Sequence, residues 1–272
     1  MLKFLSTLVT CALFTISLYA AELSLYLKPS FIEFEKLVLE IAQTKNNKIR
    51  DQNGKDHIDN ITNILLTAFL QRNPTHIEKI IIQFNRYSQD VKLILANALV
   101  TIRGKDVLKE LNYNFSSPKK ALSIIDIDKI SLVDFAKKGD FKPIPDNTDY
   151  LWAAFEGTGD DKYLINILTY LASEPLEIRT LAFEMINRDT IADILGKLTD
   201  EKDSPPDYKD IVECSNQLSK KDRSISLERL ISCKVVLWSA MSQRNGNKDI
   251  NTRILSIIKT NPKLDYSKDV KL

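Results

Sequence analysis

Glycine is scarce in this chain, seven in 272 residues. Loops that cradle phosphate need glycine, because backbone amides must crowd around the anion. No Gly-x-Gly-x-x-Gly run and no Walker-type run occurs, which excludes the common nucleotide loops. Histidine is scarcer still, with only His57 and His76. Neither has a ligand partner one helical turn away, and no His-Glu-x-x-His or Cys-x-x-Cys is present. No metal, cofactor or catalytic residue is therefore assigned, and a Gly-x-Ser-x-Gly elbow is missing as well. His57 follows Lys55-Asp56 and His76 follows Pro74-Thr75, so both read as solvated residues at helix starts. Nor is one sign of charge in excess: 38 Lys+Arg against 36 Asp+Glu leave +2. A dedicated nucleic-acid binder needs a basic surplus to neutralise phosphates, so nucleic acid is not an expected partner.

Long apolar runs are missing with one exception. Phe4 to Ala20 carries no charge, sits behind Met1-Leu2-Lys3, and ends at Ala20-Ala21 before Glu22. This is the pattern of a secretory signal, with cleavage expected after Ala20. A secreted or periplasmic product follows. The alternative is an uncleaved anchor in the inner membrane, since the run is at the short limit of a span. Leu8-Val9-Thr10-Cys11 has the outline of a lipoprotein box, but the apolar run continues past Cys11. No second segment is long and uncharged enough to span, so no membrane span is expected after cleavage. Residues 21–272 then form one helical domain, with a sub-boundary in the Pro143 and Pro145 segment at 139–149.

Cleavage would leave two cysteines, Cys214 and Cys233. An even count in an exported chain suggests a disulfide. Residues 207–219 and 225–244 read as the two arms of a helical hairpin around Lys220–Arg223. In that geometry the sulfurs lie at similar heights, and closing the loop would contribute roughly 3 kcal/mol. The alternative is a pair of buried free thiols.

What is abundant is helical periodicity. Ser30-Phe31-Ile32-Glu33 has the form of a capping box, followed by Phe34, Leu37, Val38 and Ile41 on one face. Further stripes are Ile58, Ile61, Ile64, Leu65 and Phe69; Ile77, Ile80, Ile81 and Phe84; and Val91, Ile94, Leu95, Ala98, Leu99 and Ile102. Shorter helices are expected at 105–112, 117–126 and 129–138, then at 148–156, 161–172, 175–186, 189–199 and 248–260. No alternating strand pattern with a partner is found. The fold class is all-α, built of antiparallel helical hairpins, either stacked as an α-solenoid or gathered in an irregular bundle. Leu65-Leu66-Thr67-Ala68-Phe69, Leu151-Trp152-Ala153-Ala154-Phe155 and Leu237-Trp238-Ser239-Ala240-Met241 are spaced 86 residues apart, which is the case for a helical repeat.

One stretch concentrates the candidate site residues. Trp152 and Phe155 precede Gly157-Thr158-Gly159-Asp160, the one close pair of glycines. Gly157 reads as a helix C-cap and Asp160 as the next N-cap, which makes a tight corner. The functional alternative is a nest of backbone amides facing a ligand. Tyr150, Trp152, Phe155, Tyr163 and Tyr170 read as core, with an exposed sugar-binding strip as the alternative.

The segment Tyr150-Leu151-Trp152-Ala153-Ala154-Phe155-Glu156-Gly157-Thr158-Gly159-Asp160 resembles a motif of uncharacterised secreted bacterial proteins. Those carry Leu-Trp, a nearby aromatic, then Thr-Gly-Asp or Thr-Gly-Asn, and a following amphipathic helix. Leu237-Trp238-Ser239 is similar to their C-terminal element. The resemblance covers about a fifth of the chain. It implies an exported bacterial helical protein and transfers no activity. Two functional classes are consistent with all of this. The first is a non-enzymatic protein-binding or scaffold module of the cell envelope or exterior. The second is an exported hydrolase acting on glycans through carboxylates near 150–170, such as Glu156, Asp160 and Asp161.

Overall fold

A computed structural model describes residues 25–27, 29–48, 52–114, 122–199 and 227–265. The expected signal segment, Cys11, Cys214 and the expected helix at 207–219 lie outside the described residues. Among the described residues every regular element is helical, so the fold is all-α. In chain order the helices are α1 Phe31–Lys48, α2 Gln52–Arg72, α3 Thr75–Gln83, α4 Gln89–Arg103, α5 Val107–Glu110 and α6 Ile124–Ile127. There follow α7 Leu132–Lys137, α8 Pro143–Thr158, α9 Asp161–Ser173, α10 Leu176–Thr199, α11 Leu227–Gly246 and α12 Lys248–Thr260. Short 3-10 turns occupy Phe84–Arg86 and Pro262–Leu264. No described helix is long and apolar enough to cross a membrane.

The chain forms two compact units. The first holds the described residues up to Ile130 together with Asp149–Tyr163. Its core is the apolar face of each helix: Phe34, Leu37, Val38 and Ile41 of α1; Leu66, Phe69 and Leu70 of α2; Ile77 and Ile80 of α3; Val91, Leu95 and Leu99 of α4. The 3.6-residue period delivers these side chains to one side. Phe34 and Phe69 stack with centroids 5.2 Å apart. Helix α4 packs against both α1 and α2. Local signals set the ends. Ser30 Oγ accepts from Glu33 N at 3.2 Å, and Ser88 Oγ accepts from Val91 N at 3.5 Å. Gly104, at φ 80°, ends α4, and its N–H donates to the Val100 carbonyl. The Ser123–Asp126 capping box starts α6.

The second unit holds Ser131–Thr148 and the described residues from Leu164 onward. Helix α11 packs along α10 and against α12. Buried side chains include Phe141, Ile144, Leu168, Tyr170, Leu171, Ile178, Leu230, Val236, Leu237, Ile250 and Ile254. Ser232 donates its hydroxyl to the Phe141 carbonyl at 2.8 Å, which ties the stretch before α8 to α11. Asn247 starts α12 by accepting from Asp249 N and Ile250 N.

Four expectations are corrected. Helix α8 starts at Pro143 instead of near 148, so the segment at 139–149 is mostly helix. Proline is tolerated in a first turn, because the missing N–H has no intrahelical acceptor there. The expected helices 175–186 and 189–199 are one helix, α10, since neither Pro nor Gly interrupts 187–189. The histidines are not solvated: His57 and His76 are both buried. Finally, Cys233 is a free, buried thiol, so the disulfide expected with Cys214 is not formed at Cys233. Cys233 points into the core of the second unit, away from solvent, where burial first and then the Glu174 carboxylate push its pKa up.

Candidate functional site

The Trp152–Asp160 stretch is a structural corner of the first unit. Trp152 and Phe155 are both buried, meeting edge to face at 6.2 Å, and Tyr26 tilts against Phe155 at 5.0 Å. Gly157 is not the cap. It lies inside α8 where that helix touches α2. A methyl group there would stand 2.6 Å from Ala68 Cβ and 2.7 Å from the Leu65 carbonyl oxygen. Glycine is required by the close approach, not by its dihedral freedom. The cap is Gly159, at φ 67°, whose N–H donates to the Phe155 carbonyl.

The polar groups of the corner satisfy one another. The Thr158 hydroxyl donates to the Ala154 carbonyl at 2.7 Å and accepts from Asp160 N at 3.1 Å. Asp160 Oδ1 accepts from Lys162 N at 3.0 Å and so caps α9, as expected. Arg72 donates to the Thr158 carbonyl. The amides of Gly159, Asp160 and Lys162 are thus committed inside the protein, and the anion-nest alternative has no free donors among them. Beyond the corner, Lys162 reaches Asp128 at 3.0 Å and Asp160 at 3.5 Å. Burial works against the Lys162 charge, but Asp128 and then Asp160 outweigh it and hold its pKa above the ordinary lysine value. Tyr163 donates to Asp128 at 2.7 Å, and its burial, then that carboxylate, push the phenol pKa up.

The aromatic strip is core throughout: Tyr150, Trp152, Phe155, Tyr163 and Tyr170 are all buried. Glu156 is buried too, and Asp160 is engaged in capping. A glycan platform built on these rings is not available on the surface.

The structure also assembles groups that no sequence spacing indicated. His57 Nε2 lies 3.0 Å from an Asp149 carboxylate oxygen, and its Nδ1 lies 3.2 Å from the Tyr150 hydroxyl. With Nε2 carrying the proton, Nδ1 accepts from Tyr150, so both ring nitrogens are used within the first unit. The partners are 92 and 93 residues away in sequence, which is why no local motif announced them. His76 Nε2 donates to the Pro29 carbonyl at 3.0 Å, and its ring meets Phe31 and Phe69 edge on. Burial lowers its pKa, partly opposed by that hydrogen bond. In the second unit Arg229 Nε donates to the buried Glu174 carboxylate at 2.8 Å, beside Tyr170 and Cys233. These are internal ties. No cluster of three His, Cys, Asp or Glu that could hold a metal occurs among the described residues.

The segments spaced 86 residues apart do not occupy equivalent places. The first two lie in the first unit, where Gly157, two residues past the second, meets Leu65, Ala68 and Phe69 of the first. The third lies on α11 in the second unit, with Trp238, Ser239 and Met241 half-buried. Comparison with protein-family models, curated proteins and solved structures finds no match to this chain.

Proposed function

We propose that the chain is an exported bacterial helical protein of the cell envelope or exterior that acts by binding another protein. Export is supported by the charged start, the uncharged Phe4–Ala20 run and the Ala20-Ala21 pair. A bacterial, secreted setting is supported by the resemblance carried by residues 150–160. The observation that carries binding over glycan hydrolysis is where the apolar side chains lie. The rings of residues 150–170 are in the core, while large aliphatic side chains stand on outer helix faces: Ile32 is 74% exposed and Ile82 79%. Apolar surface of this kind gains free energy when a partner removes it from water.

The reading is tested by fractionating producing cells and sedimenting the envelope and medium fractions at native concentration. The expected result is a chain that travels with a second protein in fixed ratio, above the mass of the monomer. A chain that remains in the cytoplasm, or that sediments alone in every fraction, overturns it.

A further inference from the structure

Resting on that binding reading, we infer that the asparagine-lined junction of α2 and α4 binds an extended segment of another protein by its main chain, displacing Leu122 of this chain. Asn60 and Asn63 stand one turn apart on α2, so their side chains share a face. Asn60 Oδ1 accepts from Leu122 N at 3.3 Å, and Asn63 Nδ2 donates to the Leu122 carbonyl at 3.0 Å. Both main-chain groups of one residue are thus held, and neither bond depends on its side chain. Helix α4 packs on α2 and brings Asn97 and Thr101, again one turn apart. Asn63 Nδ2 also donates to Thr101 Oγ1 at 3.2 Å, while the Thr101 hydroxyl donates to the Asn97 main-chain carbonyl at 2.8 Å. The two groups facing the Asn63 amide are therefore both acceptors, which sets its nitrogen toward them and turns Oδ1 the other way. Asn63 is 4% exposed. Its Oδ1 and that of Asn97 are shut from solvent and accept no hydrogen bond among the described residues.

The unmet groups define the occupant. A buried carbonyl oxygen without a donor is costly, and N–H groups are what both oxygens lack. The clamp already holds a main-chain amide, so its chemistry is that of a polypeptide backbone. An extended chain turns the N–H and C=O of one residue to the same side and offers the next such pair two residues on. The resident chain cannot do so beyond Leu122. It turns at once into α6, where Ser123 N donates to the Asp126 carboxylate at 3.0 Å. Helix α6 has four residues, of which Ile124 and Ile127 are buried and Ile125 is exposed. A segment that stays extended past the Leu122 position keeps the bonds to Asn60 and Asn63. It also carries further amides toward the two unmet carbonyls, a recognition mode in which main-chain hydrogen bonds supply the affinity.

The test is a fluorescence-polarisation titration of the full chain with labelled peptides of residues 119–128. One peptide is the unaltered copy. The other carries Ser123→Val and Asp126→Thr, which remove the capping box and favour an extended backbone. The chain is used as wild type and as Leu122→Pro, which removes the N–H that Asn60 accepts and so loosens the resident segment. The extended peptide should bind Leu122→Pro at least about fivefold more tightly than wild type, and more tightly than the unaltered copy does. Adding Asn60→Ala to the chain should abolish the gain. Placing proline at position 122 of the extended peptide should abolish it too, with its charge unchanged. If Leu122→Pro unfolds the chain by circular dichroism, Ser123→Ala with Asp126→Ala replaces it, since losing the capping box loosens α6. Equal binding by wild type and loosened chain overturns the proposal and leaves the asparagines a structural tie. Binding indifferent to Asn60→Ala or to the proline peptide, or as tight for the unaltered copy, also overturns it. Each of these failures leaves the binding reading standing, because co-sedimentation with a second protein decides that separately.

Discussion

A methyl group added to Gly157 meets backbone at 2.7 Å, and backbone cannot rotate away as a side chain can. Gly157→Ala should therefore force α8 from α2 and cost about 2 kcal/mol in denaturant unfolding. A loss below a few tenths would show that the two helices are not held at this distance. Cys233 is a second residue-scale case. Its thiol is buried and its pKa raised, so alkylation should proceed only as fast as the second unit opens. Reaction of Cys233 at the rate of a free model thiol in the native protein would contradict its placement. His76 supplies a pH dependence with a defined sign. Its folded pKa lies below the ordinary 6.5, so the unfolded chain binds the proton more readily. The stabilisation is full above pH 6.5 and is lost as pH falls from there toward the folded value. The difference in unfolding free energy between wild type and His76→Gln should shrink over that window. A flat difference would mean that His76 titrates alike in both states.

At the scale of elements, the caps carry the sequence's most local information. Ser30, Ser88, Gly104 and Asp160 act where their types place them, because a cap depends on neighbours within four residues. Asp160→Ala should cost about 1 kcal/mol by removing the acceptor for Lys162 N, measured by denaturant unfolding, with Asp160→Asn recovering most of it. Equal stability of all three would remove Asp160 as the cap of α9. Pro143 was less legible. A proline signals a break only when the chain before it is already helical, and here it opens α8. Gly157 was misread for a related reason. Its need arises from α2, far away in sequence, and Gly159 two positions on takes the cap.

At the scale of the whole molecule, the all-α class and most apolar faces were readable, since both follow from periodicity within one helix. The His57–Asp149–Tyr150 and Glu174–Arg229 ties were not, because each joins residues more than fifty positions apart. Of the passages between the units, only the one at 148–149 falls inside the expected sub-boundary at 139–149. The chain passes between them at 130–131, 148–149 and 163–164, so neither unit is one continuous segment. Residues 164–272 alone lack Phe141, whose carbonyl holds Ser232 and whose ring lies 5.8 Å from the Arg229 guanidinium carbon. That fragment should lose cooperative thermal melting, followed by circular dichroism, whereas 131–272 should keep it. Equal melting of the two would show that Ser131–Thr148 is dispensable to the second unit. The central claim, an exported helical protein that binds another protein, is tested most directly by native mass spectrometry of the chain recovered from the envelope and medium. The account predicts a chain lacking residues 1–20, bound to a different protein. A full-length chain, alone and confined to the cytoplasm, would contradict it.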